Sequence, residues 1–314
     1  MTGDGVVLRT QYTTILDTRQ MAWQPHFGIP GAFAKVLSAD AMGAPLVFLS
    51  FLPEDFDAAV LPARQIARSA DQRTLVLDGE LASVEYGADG PVAITATAGY
   101  WLHHPAGAES GTPGTWQPPA GALLLTYRSA PGTLPAEDGF AAEVSTGDSG
   151  SDPVPAAPGA DGVVFADPAT GARVVDSRTM PWRAHFGMHL GKTKTLTTAA
   201  DGAPLAYLTK TPGFAPGQVP PKGSADRHFH RELVEQIFVT GGELTMREYA
   251  ALADRTGELV VLRPGFFLDR APGSIHQLER RSPTGFASLE VRDQAGNYPF
   301  DDGFDELNYI EKMA

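Results

Sequence analysis

Cysteine is absent from all 314 residues, which excludes disulfides, thiolate metal sites and cysteine nucleophiles together. Positive charge is scarce: 24 Lys and Arg against 37 Asp and Glu leave a net charge of −13. So acidic a chain has no electrostatic reason to seek a nucleic-acid backbone or an anionic membrane, and neither is expected as a partner. No window approaches the roughly 20 apolar residues that a bilayer-spanning helix needs. The opening MTGDGVVLRTQYTTILDTRQ has no basic stretch followed by an apolar run. No secretory leader is therefore expected, and the cytoplasm is the expected compartment. Long amphipathic helical patterns are missing as well.

What remains is a globular composition, 43% apolar and 19% charged, in a chain long enough for two domains. Pro (26) and Gly (34) are spread throughout and cut the chain into short β-rich pieces such as PLVFLSFL, RTLVLDGELASVEY and ALLLTYRS. Many-stranded barrels and sandwiches have this pattern.

The chain also repeats itself. Residues 17–53 align without a gap on 176–212, with fifteen identical pairs in thirty-seven positions. Among them are Asp17/Asp176, Arg19/Arg178, Met21/Met180, Trp23/Trp182, His26/His185, Phe27/Phe186 and Lys35/Lys194. Beyond this block, Gly79-Glu80-Leu81 matches Gly242-Glu243-Leu244, each expected as a turn between two strands. Residues 99–102 match 265–268, and 121–128 match 285–292. The expected domains are 1–135 and 161–314, joined by a Pro-, Gly- and acid-rich linker at 136–160. The tail from about 298 is expected as a short helix or a packed arm.

The second copy carries RHFHRELVEQIFVTGGELTM and, some forty residues later, RPGFFLDRAPGSIHQLE. On a strand, His228 and His230 point the same way. Glu235 has the wrong parity for a straight strand, and a turn or bulge at 231–234 would return it to that side. With His276 these residues make a thiolate-free set suited to one divalent metal ion per chain: Fe(II), Zn(II), Mn(II), Ni(II) or Cu(II). Glu235 is read as a direct ligand or as a group that orients a ligating histidine. In the first copy the same positions fall on Gln65, Ala67, Gln72 and Ser110, and none is a strong ligand. Phe238, Met246 and Phe267 are candidate core residues or pocket walls around the metal. Arg270 is read as an ion-pair partner of Asp269 or as a clamp on a substrate carboxylate. His26 and His185, present in both copies, are expected to be structural or interfacial. Tyr100, Trp101, His103 and His104 are expected as core or interface, with a ligand pocket as the alternative.

The pattern His228-Phe229-His230, Glu235, Gly241-Gly242, then Pro272-Gly273 and His276, resembles the paired motifs of the cupin superfamily. The stretch from Met180-Pro181-Trp182 to Pro212-Gly213 is similar to cupins grouped with the anti-sigma factor ChrR and dihydroxyacetophenone dioxygenase. The resemblance implies an all-β fold of tandem cupin domains (double-stranded β-helix, jelly-roll barrels), of which only the second holds metal. It also implies a mononuclear non-haem oxygenase, with Fe(II) favoured, acting on a small carbonyl-containing molecule. The alternatives are a metal- or ligand-binding sensor or scaffold without turnover, and a Zn-dependent isomerase or lyase. A small-molecule substrate or ligand is the expected partner, and a homodimer is compatible with the chain.

Overall fold

The computed structural model describes residues 4–61, 64–66, 70–113, 116, 118–130, 154–159, 161–185, 190–213, 227–230, 233–251, 253–278 and 284–294. Among these the regular structure is β-strand, with two three-residue 3-10 turns, Thr18–Gln20 and Ala58–Val60. The fold class is all-β, as the short alternating segments imply. No helix among the described residues is long and apolar enough to cross a membrane.

The segment QRTLVLDGELASVEYG corrects one expectation. It is a single strand, Gln72–Gly87, that passes from one sheet to another with no hairpin at Gly79. Gly79 lies at φ +74°, where a Cβ would stand 2.0 Å from the Gly121 carbonyl oxygen. Gly242 repeats this at φ +66°, 2.3 Å from the Gly285 oxygen, between Glu235–Gly242 and Leu244–Tyr249. Only glycine allows the bend and the close approach together, so the repeated Gly-Glu-Leu marks a corner between sheets.

The chain divides into two compact units, and they are not the ones the repeat suggests. One is Trp23–Met180; the other joins Met1–Ala22 to Pro181–Ala314. The domain expectation of 1–135 and 161–314 is thus corrected at both ends by the pairing of two strands. Thr13–Asp17 pairs antiparallel with Phe266–Arg270, and Arg173–Asp176 pairs in the same way with Tyr100–His104. Part of the expected linker is also a strand, Val154–Pro155, parallel to Val92 and Ala93. Residues 136–153 and 160 of that linker, the tail from 298, and Phe186 with Gly187 lie outside the described residues.

The repeated Asp-x-Arg pairs mark where each strand docks. Thr18 donates through its backbone N–H and its hydroxyl to the Gly265 oxygen, at 3.0 and 2.6 Å. Ser177 does the same to Gly99, at 3.1 and 2.6 Å. Arg19 grips both oxygens of Asp17 and lies over the Phe266 ring; Arg178 grips Asp176 and lies over Tyr100. The gain from Thr13–Asp17 is mostly apolar. Ile15 and Leu16 are 0% and 5% exposed, each worth about 1.5–3 kcal/mol of burial. A chain starting at residue 23 should therefore leave Phe266–Arg270 as a bare apolar edge and aggregate. The fragment 23–180 should remain folded and monomeric. Light scattering and circular dichroism of the two check this, and a soluble, fully folded 181–314 fragment would refute it.

Each unit encloses an apolar core. In the first it includes Val76, Ile94, Leu102 and Leu124, and in the second Ile15, Ile237, Val239, Leu262 and Leu268. Repeated Trp23 and Trp182 lie under lysine ammonium groups, Lys35 at 4.4 Å and Lys194 at 4.6 Å from the rings. His26 and His185 are internal to their units, which favours the structural reading. His26 lies tilted against Phe27, meets Phe48 edge-on and bonds Ser50, while His185 meets Tyr207 edge-on. Burial lowers both imidazoles from the ordinary 6.5 to about 4. The unfolded chain then binds more protons below pH 6.5, so stability is full above 6.5 and is lost as pH falls toward 4. Denaturant midpoints should drop across that window, and His26→Gln should flatten part of the fall.

Candidate metal centre

The second unit places its histidines by strand register. His228–Phe229 pairs antiparallel with Ile275–Leu278, setting His228 directly opposite His276. The chain leaves the strand at His230, whose carbonyl accepts from the Gly273 N–H at 2.7 Å. The Pro272-Gly273 turn therefore positions one ligand from below and carries another, His276, three residues on. The three rings lie 4.2–5.2 Å apart by centroid, and their candidate ligand atoms all lie within 4.8 Å of one another.

An ion bonded at about 2.0–2.1 Å to each nitrogen allows at most about 4.2 Å between two of them, so small ring rotations complete the set. His230 and His276 are buried and His228 is half-buried. The Nδ1 of His276 lies 3.2 Å from the Ser274 carbonyl, which fits an N–H donated there and a lone pair on Nε2 facing the site. Burial, reinforced by Arg270, holds His276 well below the ordinary imidazole range and so neutral, as ligation requires.

Glu235 stands 3.7 Å from the Nε2 atoms of both His230 and His276. That separation also falls within the span of two ligands on one ion. Two guanidinium groups hold its carboxylate: Arg270 at 2.6 Å on Oε2 and Arg292 at 3.2 Å on Oε1. Burial pushes the Glu235 carboxyl up, but His230, Arg270 and Arg292 together outweigh it and hold it well below the usual range. The donor set, three imidazoles and one ionised carboxylate, fits a divalent cation of the kind the sequence pattern implies.

Arg270 makes ion pairs other than the one expected with Asp269. It is 2% exposed and spans Glu235 and Glu248, with the second contact at 2.5 Å. Asp269, its expected partner, points to the other face and accepts from Gln236. Held between two carboxylates, Arg270 is placed to fix Glu235. Met246 touches the same guanidinium at 3.2 Å and so lies against the site. Phe238 and Phe267 do not. They are cross-strand neighbours, each three residues from Glu235 or Arg270, and strand alternation turns them to the opposite face. They are buried there, at 5% and 0% exposure.

Sequence reasoning missed Arg292, Glu248 and Glu290, all buried on the interior face. Arg292 had a signal, its identity with Arg128 in the aligned 121–128 and 285–292 blocks. Glu248 sits opposite His276 in register and accepts from Thr13, a residue of the docked strand.

The first unit keeps this frame without the ligands. Ser110 sits opposite Gln65, as His276 does opposite His228, and Gln72 pairs with His104 and Arg128 where Glu235 pairs with Arg270 and Arg292. Ala67 lies outside the described residues.

No protein-family model matches the sequence, and no curated protein matches it. Solved structures do match over nearly the whole chain. Protein YlbA from E. coli, described with family-model DUF861, is 10% identical at a TM-score of 0.57, covering 94% of this chain and 96% of its own. A candidate dioxygenase from Nostoc punctiforme is 15% identical at 0.57, over 93% and 89%. The Lactobacillus farciminis oxalate decarboxylase, in a formate complex, is 12% identical at 0.54, over 93% and 88%. At such identities the likeness is one of fold, and in fold the chain is a tandem pair of all-β, jelly-roll cupin domains.

Proposed function

We propose that the second barrel is the metal-dependent active centre of an enzyme acting on a small carbonyl-containing organic molecule, with dioxygenase-type chemistry. The observation that carries this reading is the convergence of His228, His230 and His276, with Glu235 beside them, inside a barrel whose interior is otherwise polar at that end. The similar folds of a candidate dioxygenase and of oxalate decarboxylases support it. The motif resemblance to ChrR-like and dihydroxyacetophenone dioxygenase-like cupins favours cleavage of a carbon–carbon bond and favours Fe(II).

A bound divalent ion would supply Lewis acidity and, as iron, redox chemistry. The chain's own part is to hold and orient. The three imidazoles and the Glu235 carboxylate form the ligand set, and Arg270 and Arg292 fix that carboxylate. Tyr207, Thr209 and Glu290, buried beside Arg292, offer hydrogen-bonding groups to a small polar molecule. The apolar residues beyond Met246 limit water.

Elemental analysis of the purified chain should find about one ion per chain, because only one barrel keeps the ligands. A reproducible value near two would contradict the assignment of Gln65, Gln72 and Ser110 to a lost site. Oxygen uptake should then be measured with β-diketones, hydroxyaryl ketones and oxalate. Iron with uptake supports the proposal; tightly held zinc without turnover favours a sensor or scaffold.

A further inference from the structure

The first barrel has replaced its metal ligands but has not filled the space. A cavity of about 180 Å³ remains, with Phe48, Leu102 and Leu124 as its apolar walls. It exceeds an apolar cavity of about 150 Å³ that holds benzene, so one ring with a small substituent fits.

Strand register sets hydroxyl groups beside those walls. Ser50 lies directly opposite Leu124, and two residues along each strand Phe48 lies opposite Thr126. Thr126 is in turn opposite Thr74, and Thr74 opposite Leu102. Alternation puts all six on one face, and all six line the cavity.

These hydroxyls have protons left to give. The Gly28 N–H donates to Nδ1 of His26 at 3.2 Å, and burial keeps that imidazole neutral. Its own proton is therefore on Nε2 and is donated to the Ser50 oxygen at 3.1 Å. Ser50 is the acceptor in that bond, and among the described residues its hydroxyl has no second partner. The hydroxyl oxygens of Thr74 and Thr126 stand 3.3 Å apart, so one donates to the other and a second proton is uncommitted. All three residues are at most 5% exposed, where an O–H without an acceptor is costly.

The charges of the second barrel are not repeated on this wall. At the positions of Glu235 and Glu290 stand Gln72 and Thr126, both neutral. His104 is bonded to the fully buried Glu85 at 2.8 Å, a pair that is neutral overall, and Arg128 is engaged by the protein itself. Neutral donors beside an apolar hollow suit an uncharged acceptor oxygen on an apolar body.

We propose that the first barrel binds a small uncharged ketone or aldehyde of about one ring in size. Its carbonyl oxygen takes the Ser50 and threonine hydroxyl protons, and its apolar body lies between Phe48, Leu102 and Leu124. The inference does not depend on the metal chemistry of the second barrel.

Acetophenone is a suitable probe, with toluene as the counterpart that lacks the oxygen and benzoate as the charged one. Calorimetric titration of the full chain, dialysed against chelator so that binding to metal does not contribute, should show one acetophenone site per chain. Benzoate should bind several-fold more weakly. Ser50→Ala should weaken acetophenone about three- to tenfold, the worth of one hydrogen bond, and leave toluene unchanged. Leu124→Trp, which fills the hollow, should abolish both. If that variant does not fold, Ala82→Leu takes up the same space with a smaller side chain. Acetophenone affinity weaker than about 10 mM, benzoate binding as tight as acetophenone, acetophenone binding unmoved by Ser50→Ala, or binding that survives the filled cavity would each overturn the proposal.

Discussion

His230→Ala should strip the chain of its metal and reduce any metal-dependent activity by orders of magnitude, with the fold intact. The side chain is 6% exposed, and its ring is one of three that converge, so alanine leaves too few ligands for tight binding. The cores of both units are apolar and include none of the four proposed ligands, so thermal unfolding should change little. Glu235→Gln sharpens the test. As a direct ligand its loss should nearly abolish binding, whereas a group acting only through the histidines costs about 10–100-fold in metal affinity. Full occupancy and full activity in the His230 variant would overturn the site.

Arg270→Met should have the opposite signature, a large loss of stability. Its guanidinium holds Glu235 and Glu248, both almost completely buried. Removing one partner of a buried ionic network leaves uncompensated charge and costs about 3–5 kcal/mol. For a unit of this size that is a fall on the order of 10 °C in melting temperature. The cost is reduced if Glu248 takes up a proton, and burial does push its carboxyl up. Glu248→Gln in the Arg270→Met background should therefore recover part of the loss. A single variant within about 1 kcal/mol of the parent would show that the network contributes no net stability.

The ligand set was legible in the sequence because its side chains are chemically rare in this company: three of eight histidines fall in one motif, within a repeat whose other copy lacks them. The all-β class was legible from short alternating segments. The pocket walls were less so. Phe238 and Phe267 look like any barrel-lining aromatics until their three-residue spacing from Glu235 and Arg270 is combined with strand alternation. Buried Glu248 and Glu290 gave no sign of their burial, because composition carries none, and Arg292 showed only in its match to Arg128. The exchange of strands was the least legible feature. TTILD announces a strand, but nothing local names Phe266–Arg270 as its partner.

That exchange has a consequence for synthesis. Thr13 and its partner Glu248 are separated by 235 positions, so at about 5–20 residues per second the strand Thr13–Asp17 leaves the ribosome about 10–50 s before Glu248 and the neighbouring strand Phe266–Arg270 exist. During that interval Ile15 and Leu16 have only the strand Val6–Arg9 to pair with and lack the sheet that buries them. The Trp23–Met180 barrel can meanwhile close on its own. A message truncated after the first repeat thus yields one finished barrel trailing an orphaned strand, and the metal centre is assembled only by ribosomes that complete the second repeat.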